Sequence, residues 1–130
     1  MVDCFGLLLC VMVTAANTAD RSAAEALLRL ARSFSYRLRL FYADGAYAGP
    51  LVDWAWRSCR FVLAIVSKLK GQKGFQLLPN RWVVERTFAW FGNYRRLSKD
   101  YEYHTGSSET FIRVAMIHTT LRRLTRCSKA

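Results

Sequence analysis

Two carboxylates stand out in the sequence because each occupies a place that metal-dependent chemistry could use. Asp44 ends the segment RLRLFYAD and is followed by Gly45. We therefore predict that Asp44 lies at the carboxyl end of a strand, where sites form in open α/β sheets. Glu85 lies in LPNRWVVERTFAWF, a predicted helix that is otherwise mainly aromatic, aliphatic or basic. One or two carboxylates plus phosphate oxygens can hold Mg²⁺, and two such ions assist phosphodiester cleavage by activating water and stabilising the leaving oxygen.

The neighbours of Glu85 allow two interpretations. Helical geometry gives a polar stripe about 60° wide that contains Arg81, Glu85, Gly92 and Arg96. The adjoining apolar stripe, predicted to face a sheet, contains Val84, Phe88 and Phe91. Because an unpaired buried charge costs several kcal/mol, Glu85 at the border of this core is predicted to be a packed ion pair or a site residue. An ordinary pair of Arg81 with Glu85, with Asp44 capping a turn, is the structural alternative.

The elements that must position these residues alternate along the chain. The apolar run at residues 4–16 predicts a strand, the second arm of a hairpin that turns near Phe5 and Gly6. The other predicted elements are a helix from Asp20, capped by Asp20 or Thr18; a strand ending at Asp44; a helix after Pro50; a strand in RFVLAIVSK; a helix from Pro79 through Phe91; and a helix from Ser107 or Ser108 to Leu124. This order predicts an α/β fold, with a mixed sheet covered by helices, in a single domain over residues 1–130.

The charge of the chain predicts a polyanionic partner. Twenty Lys and Arg oppose nine Asp and Glu, a formal net charge of +11. Such an excess is typical of nucleic-acid binding, less often of binding to an acidic membrane surface, and a solvated basic surface without a partner is the alternative. The candidate phosphate contacts are Arg95, Arg96, Arg122, Arg123, Lys68, Lys70 and Lys73. The three lysines lie in SKLKGQKG, which is equally compatible with a solvated loop.

Neither a membrane anchor nor a zinc site is predicted. The apolar run at residues 4–16 is preceded by Asp3 without Lys or Arg, and it is too short to span a bilayer. The four cysteines form no CxxC pair and have no His at metal-ligand spacing. They are predicted to be buried or free thiols in a reducing compartment, which points to the cytoplasm.

Three segments carry a resemblance to a known family. ADGAYAG, GQKGFQLLPNRWVVERTFAWFGNYRRLSKDYEY and SSETFIRVAMIHTTLRRL closely resemble the C-terminal part of bacterial DDE transposases of the insertion-sequence-five group, and VDCFGLLLCVMVTAANTADR resembles the segment before it. The resemblance implies an RNase H-like fold with two Asp and one Glu as ligands of Mg²⁺ or Mn²⁺. In it Asp44 matches the second Asp, Glu85 matches the Glu, and Arg81 matches the arginine of the family's tyrosine-arginine-glutamate-lysine signature.

The sequence also departs from the family pattern. Leu78 stands at the position of the signature tyrosine and Gly92 at that of the lysine, whose charge we infer Arg95 and Arg96 supply a turn later. No residue takes the place of the first Asp, because Asp3 lies in the hairpin motif rather than the strand motif. The expectation is a truncated catalytic domain that lacks the family's N-terminal DNA-binding region and first core strand. Whether this chain is an active enzyme is left open.

The resemblance implies transposition of insertion-sequence DNA, by phosphodiester cleavage with water and strand transfer with a 3′-hydroxyl. This chain is expected to be inactive alone and to act with DNA at the element ends and the target, an upstream transposase segment and, as a further candidate, a second copy of itself. The expected location is the bacterial cytoplasm, at the nucleoid when bound to DNA. Two rivals stay open: a non-catalytic DNA-binding regulator or decayed remnant of a transposase, and a small basic RNA-binding protein.

Overall fold

A computed structural model describes residues 1–66, 81–99 and 101–127. Its contacts divide the chain into two compact units. We call residues 17–82 the sheet unit, and residues 1–16 together with those from 83 onward the hairpin–helix unit. Since two compact units can belong to one domain, the single domain over residues 1–130 stays a prediction.

The sheet unit combines a parallel strand pair with helices. Its elements are helix α1 (Asp20–Phe34), strand β1 (Leu40–Asp44), a 3₁₀ turn (Gly45–Tyr47), helix α2 (Pro50–Trp54), a π-helical turn (Ala55–Cys59) and strand β2 (Val62–Val66). β1 and β2 pair in parallel, in a register that runs from Leu40 opposite Val62 to Asp44 opposite Val66. The connection through α2 is the helical crossover that parallel strands require. Asp44 therefore ends a parallel strand, as predicted.

The core of the sheet unit is centred on Phe61. This side chain is 0% exposed, and its ring meets that of Phe41 edge to face with a centroid distance of 4.8 Å. Leu28 and Ala31 of α1 are also buried, three residues apart on one helical face. Burial of one large apolar side chain contributes about 1.5–3 kcal/mol to the free energy of unfolding. Through its contact with Phe41, Phe61 therefore stabilises β1, the strand that ends at Asp44.

The hairpin–helix unit is built from the N-terminal turn and two helices. Helix α3 spans Arg81–Gly92, with residues from Val83 in this unit; a 3₁₀ turn (Arg95–Leu97) and the long helix α4 (Thr105–Cys127) follow. Phe91, Ala115 and Met116 form its buried centre. Leu7, Leu8, Tyr94, Leu97 and Ile112 pack against that centre. The N-terminal segment is thus held by α3 and α4, which follow it by more than seventy residues.

The predicted strand over residues 4–16 is wrong, although its turn is confirmed. The segment makes one isolated antiparallel bridge, Val2 with Leu8, around a turn in which Gly6 has a φ of 77°. Beyond that bridge, the amide of Val13 donates to Oε1 of Glu109, on α4, at 3.0 Å. The Glu109 side chain thereby satisfies the amide of Val13, which the predicted strand would have paired with a neighbouring strand. Without such backbone pairing a strand does not form.

The other predicted elements agree with the structure except at their ends. α1, β1, α2 and β2 are confirmed, but Ala19 stands at the N-cap position of α1, where Asp20 or Thr18 was predicted. α4 begins at Thr105, which places Ser107 and Ser108 inside its first turn. Pro79 lies outside the described residues. The described sheet is parallel rather than mixed, and no helix in the described part of the chain is long and apolar enough to cross a membrane.

Candidate active site

The side chain of Asp44 is held by the turn that directly follows it in the chain. It is exposed at the end of β1, where its Oδ1 accepts a hydrogen bond from the amide of Ala46 at 3.0 Å and caps the 3₁₀ turn that follows. The turn capping that belongs to the structural alternative is therefore present. Oδ2 accepts no hydrogen bond from the described residues, so the exposed Asp44, at the carboxyl end of a parallel strand, keeps one oxygen that the turn does not use. Capping and metal ligation are compatible at this residue because they use different oxygens.

α3 exposes the side that carries Glu85 and buries the opposite side. The buried stripe consists of Val83, Thr87 and Phe91. Glu85 is exposed, together with Val84 at 43% and Phe88 at 68%. The prediction that Val84 and Phe88 face the core beside Glu85 is therefore wrong, and only Phe91 of that stripe is buried. The polar Thr87 takes an inward position because its hydroxyl has backbone acceptors, the carbonyls of Gly6 at 2.8 Å and Val83 at 3.0 Å.

The predicted polar stripe of α3 does not extend to Arg96. α3 ends at Gly92, and Arg96 lies in the separate 3₁₀ turn, so helical spacing no longer relates it to Glu85. The side chain of Arg81, the first residue of α3, lies outside the described residues, and so its pairing with Glu85 stays a prediction.

The predicted phosphate contacts differ in whether their side chains already bind other groups of the protein. Arg95 and Arg122 are exposed. Arg96 is bound to Glu102, with Nη1 3.0 Å from Oε1, and its guanidinium lies 5.3 Å from the ring centroid of Phe111. Arg123 is half-buried and lies 4.0 Å above the ring of Trp90. Lys68, Lys70 and Lys73 lie outside the described residues.

A further group of residues, which the sequence patterns did not indicate, joins α3 to the N-terminal turn. Arg86 and Thr87, the two residues after Glu85, donate hydrogen bonds to the carbonyls of Phe5 and Gly6 in the N-terminal turn. These partners are 81 positions apart in the chain, a distance at which spacing patterns give no information. The available signals were Gly6 within an apolar run and a threonine at helical spacing between Val83 and Phe91.

Cys4, Cys10 and Cys59 are thiols rather than parts of a disulfide. Cys10 and Cys59 are buried and Cys4 is exposed. Burial raises the pKa of Cys10 and of Cys59, although Arg29 and Arg32 partly oppose the shift at Cys59. Since a thiol binds metal as the thiolate, both buried groups are poor metal ligands near neutral pH.

The family model for the transposase DDE domain matches residues 1–120 of this 130-residue chain. The chain belongs to the transposase DDE domain family. A candidate transposase for insertion sequence element IS402 from Burkholderia cepacia is 33% identical to it over 90 residues, which cover 67% of this chain and 42% of that protein. The predicted relationship to insertion-sequence transposases is thereby confirmed, over less than half of that relative's length. No solved structure matches the chain.

Transposase DDE domains generally use divalent metal ions, and the side chains present fit such an ion in part. Asp44 and Glu85 are exposed carboxylates, the hard oxygen donors that Mg²⁺ and Mn²⁺ prefer. Within residues 1–66, 81–99 and 101–127, no three His, Cys, Asp or Glu side chains are grouped closely enough to hold a metal. The described residues thus contain no complete metal cage.

Proposed function

We propose that this chain is part of an insertion-sequence transposase and that it contributes Asp44 and Glu85 to a divalent-metal site for phosphodiester cleavage and strand transfer. The observation that carries the proposal is the placement of Asp44 in a member of the transposase DDE domain family. The carboxylate is exposed at the carboxyl end of a parallel strand, and the turn that follows uses only its Oδ1. An RNase H-like architecture is part of the proposal.

Each residue has a separate role in this scheme. Asp44, held by its turn, offers Oδ2 as a ligand in a nearly fixed direction, and Glu85 offers a second carboxylate from a rigid helix. A bound Mg²⁺ would activate the attacking water or 3′-hydroxyl and stabilise the leaving oxygen. Arg81, at the start of α3, is proposed to contact a DNA phosphate and so to orient the strand that is cut.

The third carboxylate of the site is proposed to come from a segment that carries the family's first core strand, in the same or another polypeptide. Asp3 is a poor substitute, because it lies in the hairpin motif rather than in the strand motif that carries the family's first Asp. A site with two ligands should bind metal weakly and should leave the attacking water poorly placed. We therefore propose that the chain needs this segment for activity.

The basic surface is proposed to hold DNA through its phosphates, without reading its sequence. The charge of +11 provides the attraction, and the exposed Arg95 and Arg122 provide two described contacts that have room for a phosphate. The protein would then act in the bacterial cytoplasm, at the nucleoid. Family membership argues against the rival of an RNA-binding protein unrelated to transposition.

Metal binding by the whole chain tests the proposal. Mn²⁺ affinity, measured by electron paramagnetic resonance, is compared among the wild type, Asp44→Asn, Glu85→Gln and the double variant. If both carboxylates hold one ion, each single change weakens binding, and the double change weakens it little more than either one, because effects within one site are not additive. Asp53→Asn is the matched control, since Asp53 is exposed on α2 and outside the proposed site.

Two results would contradict the shared site. The first is a double variant whose loss equals the sum of the single losses, which indicates independent weak sites. The second is a control variant as impaired as Asp44→Asn, which indicates general attraction of cations to acidic residues. A chain that binds DNA but shows no carboxylate-dependent metal binding would instead be a non-catalytic DNA-binding regulator or a remnant.

A further inference from the structure

The N-terminal turn and α3 are joined by hydrogen bonds to two consecutive backbone carbonyls of the turn. The carbonyl of Phe5 accepts from Nη2 of Arg86 at 2.9 Å, and the carbonyl of Gly6 accepts from Oγ1 of Thr87 at 2.8 Å. The latter contact is buried. The Thr87 hydroxyl has one proton, which is shared between the carbonyl of Gly6 and the carbonyl of Val83 at 3.0 Å. Two consecutive carbonyls of the turn are therefore fastened to two consecutive residues of α3.

Gly6 allows this close approach. It is buried with a φ of 77°, a conformation that side chains disfavour. A Cβ added there would lie 2.8 Å from Oγ1 of Thr87 and 3.2 Å from two ring carbons of Trp90. Any larger residue must therefore push α3 away from the turn or break the Thr87 hydrogen bond.

Two arginines complete the junction. The guanidinium groups of Arg86 and Arg123 lie 5.1 Å and 4.0 Å from the ring centroid of Trp90. Nη1 of Arg123 also reaches the carbonyl of Phe5, at 3.3 Å. Arg123 therefore links α4 to the same carbonyl that Arg86 binds from α3. Cation–π contact and a shared acceptor hold the two helices against one turn.

The turn is itself stiffened from within. The carboxylate of Asp3 accepts hydrogen bonds from the amides of Phe5 and Leu7, and its carbonyl accepts from the amide of Gly6 at 3.0 Å. These bonds fix the directions of the Phe5 and Gly6 carbonyls within the turn. We call the Asp3–Leu7 turn with Arg86, Thr87, Trp90 and Arg123 the Gly6 clamp.

We infer that the Gly6 clamp is a positioning device that sets the rotation of α3 and so the direction in which Glu85 points. At 100° per residue, Glu85 lies about 160° around the helix axis from Thr87, on the side away from the turn. Fastening the helix at Thr87 therefore presents Glu85 outward, as its exposure shows. The inference rests on the proposed function, in which Glu85 is a metal ligand, and it makes Thr87 a positioning residue.

Three variants of the full chain test the clamp, with Mn²⁺ affinity and amide hydrogen exchange of α3 as the readouts. Gly6→Ala forces the added methyl group against Thr87. Thr87→Val removes the hydroxyl at similar volume, and Thr87→Ser keeps it. We expect the first two to weaken Mn²⁺ binding about tenfold, as loss of a group that orients a ligand does, and to speed exchange over residues 83–92. Thr87→Ser should restore both readouts to near the wild type.

A matched control is Gly106→Ala, since a Cβ at Gly106 in α4 meets nothing within 4 Å. It should change neither readout. A folded Thr87→Val protein with wild-type Mn²⁺ affinity would overturn the inference, as would Thr87→Ser binding Mn²⁺ as weakly as Thr87→Val. If Gly6→Ala does not fold, the two Thr87 variants decide.

Failure of the proposed function has a different signature. If Glu85→Gln leaves Mn²⁺ affinity unchanged, the metal site is refuted. Hydrogen exchange then judges the clamp by itself: faster exchange of α3 in Thr87→Val, reversed in Thr87→Ser, upholds it, and unchanged exchange overturns it.

Discussion

The two proposed metal ligands are positioned in contrasting ways. Asp44 depends on residues close to it in the chain, because its capping bond goes to Ala46, two positions away, and its strand is β1. Glu85 depends on contacts of α3 with a turn 81 positions earlier. One carboxylate is thus directed by local geometry and the other by long-range packing. A substitution far from Glu85 in sequence can misdirect it, whereas Asp44 should tolerate distant changes that leave β1 intact.

The largest expected effect is on DNA cleavage. Here Asp44 and Glu85 should matter equally, although they are positioned in different ways. We combine the chain with a polypeptide that carries the family's first core strand and measure Mg²⁺-dependent cleavage of a terminal-repeat duplex. Asp44→Asn and Glu85→Gln should each lower cleavage about 10³-fold, the scale of losing one preorganised electrostatic group. Glu85→Gln should leave DNA binding nearly intact, because it removes a charge that repels phosphate.

Residues 1–130 without that segment should neither nick nor join DNA, since the matched positions supply two carboxylates. Asp53→Asn should cleave like the wild type. Robust Mg²⁺-dependent cleavage by residues 1–130 alone would refute the need for a third ligand from elsewhere, and Asp3 would then be the first residue to substitute.

The next effect concerns the stability of the strand that carries Asp44. Phe61→Ala should lower the free energy of unfolding of the sheet unit by about 3–5 kcal/mol, because Phe61 is fully buried. Urea unfolding followed by the amide signals of β1 and β2 measures the loss. Val62→Ala, next in sequence and 50% exposed, is the control and should cost less than about 1 kcal/mol. Equal losses in the two variants would show that Phe61 is not the centre of this core.

A smaller effect separates the two aspartates that cap turns. Asp3→Ala should destabilise the hairpin–helix unit by about 1–2 kcal/mol, because the Asp3 carboxylate accepts from two amides. Asp44→Ala should cost the sheet unit less, since Asp44 accepts from one. Urea midpoints measure both losses. Asp3→Asn keeps an acceptor oxygen and should recover most of the stability without changing Mn²⁺ affinity. A loss of Mn²⁺ binding in Asp3→Asn with unchanged hydrogen exchange of α3 would instead make Asp3 a ligand.

The smallest effect tests which exposed arginines contact DNA phosphates. If about five phosphates are neutralised, log K for duplex DNA falls with log salt at a slope near −4.5. Arg95→Ala should flatten this slope by about 0.9. Arg96→Ala should flatten it less, because Arg96 is bound to Glu102 at 3.0 Å. Arg37→Ala, an exposed arginine of the sheet unit outside the predicted contacts, should leave the slope unchanged. Affinity that does not respond to salt would contradict phosphate binding.

Local signals carried most of the fold prediction. The helix over Asp20–Phe34, the strand that ends at Asp44 and the strand at Val62–Val66 each follow from a pattern within about fifteen residues. The apolar run at residues 4–16 failed because a strand also requires a partner, and composition does not reveal whether one is available. The faces of α3 failed for a related reason. Hydrophobicity favoured Phe88 over Thr87, but the hydroxyl of Thr87 has two carbonyl acceptors that the helical pattern could not anticipate.

The sequence by itself determined the family, the identity of the candidate carboxylates, and the place of Asp44 at a strand end, because these depend on residue types and short spacings. Only the tertiary structure decided that Asp3 is engaged in a turn, that Arg123 stacks on Trp90 as part of an internal junction, and that Glu85 points outward. Each of these depends on which groups meet after the chain has folded. Pairing between residues more than eighty positions apart leaves no periodic trace in the sequence, since it is fixed by packing and hydrogen-bond satisfaction.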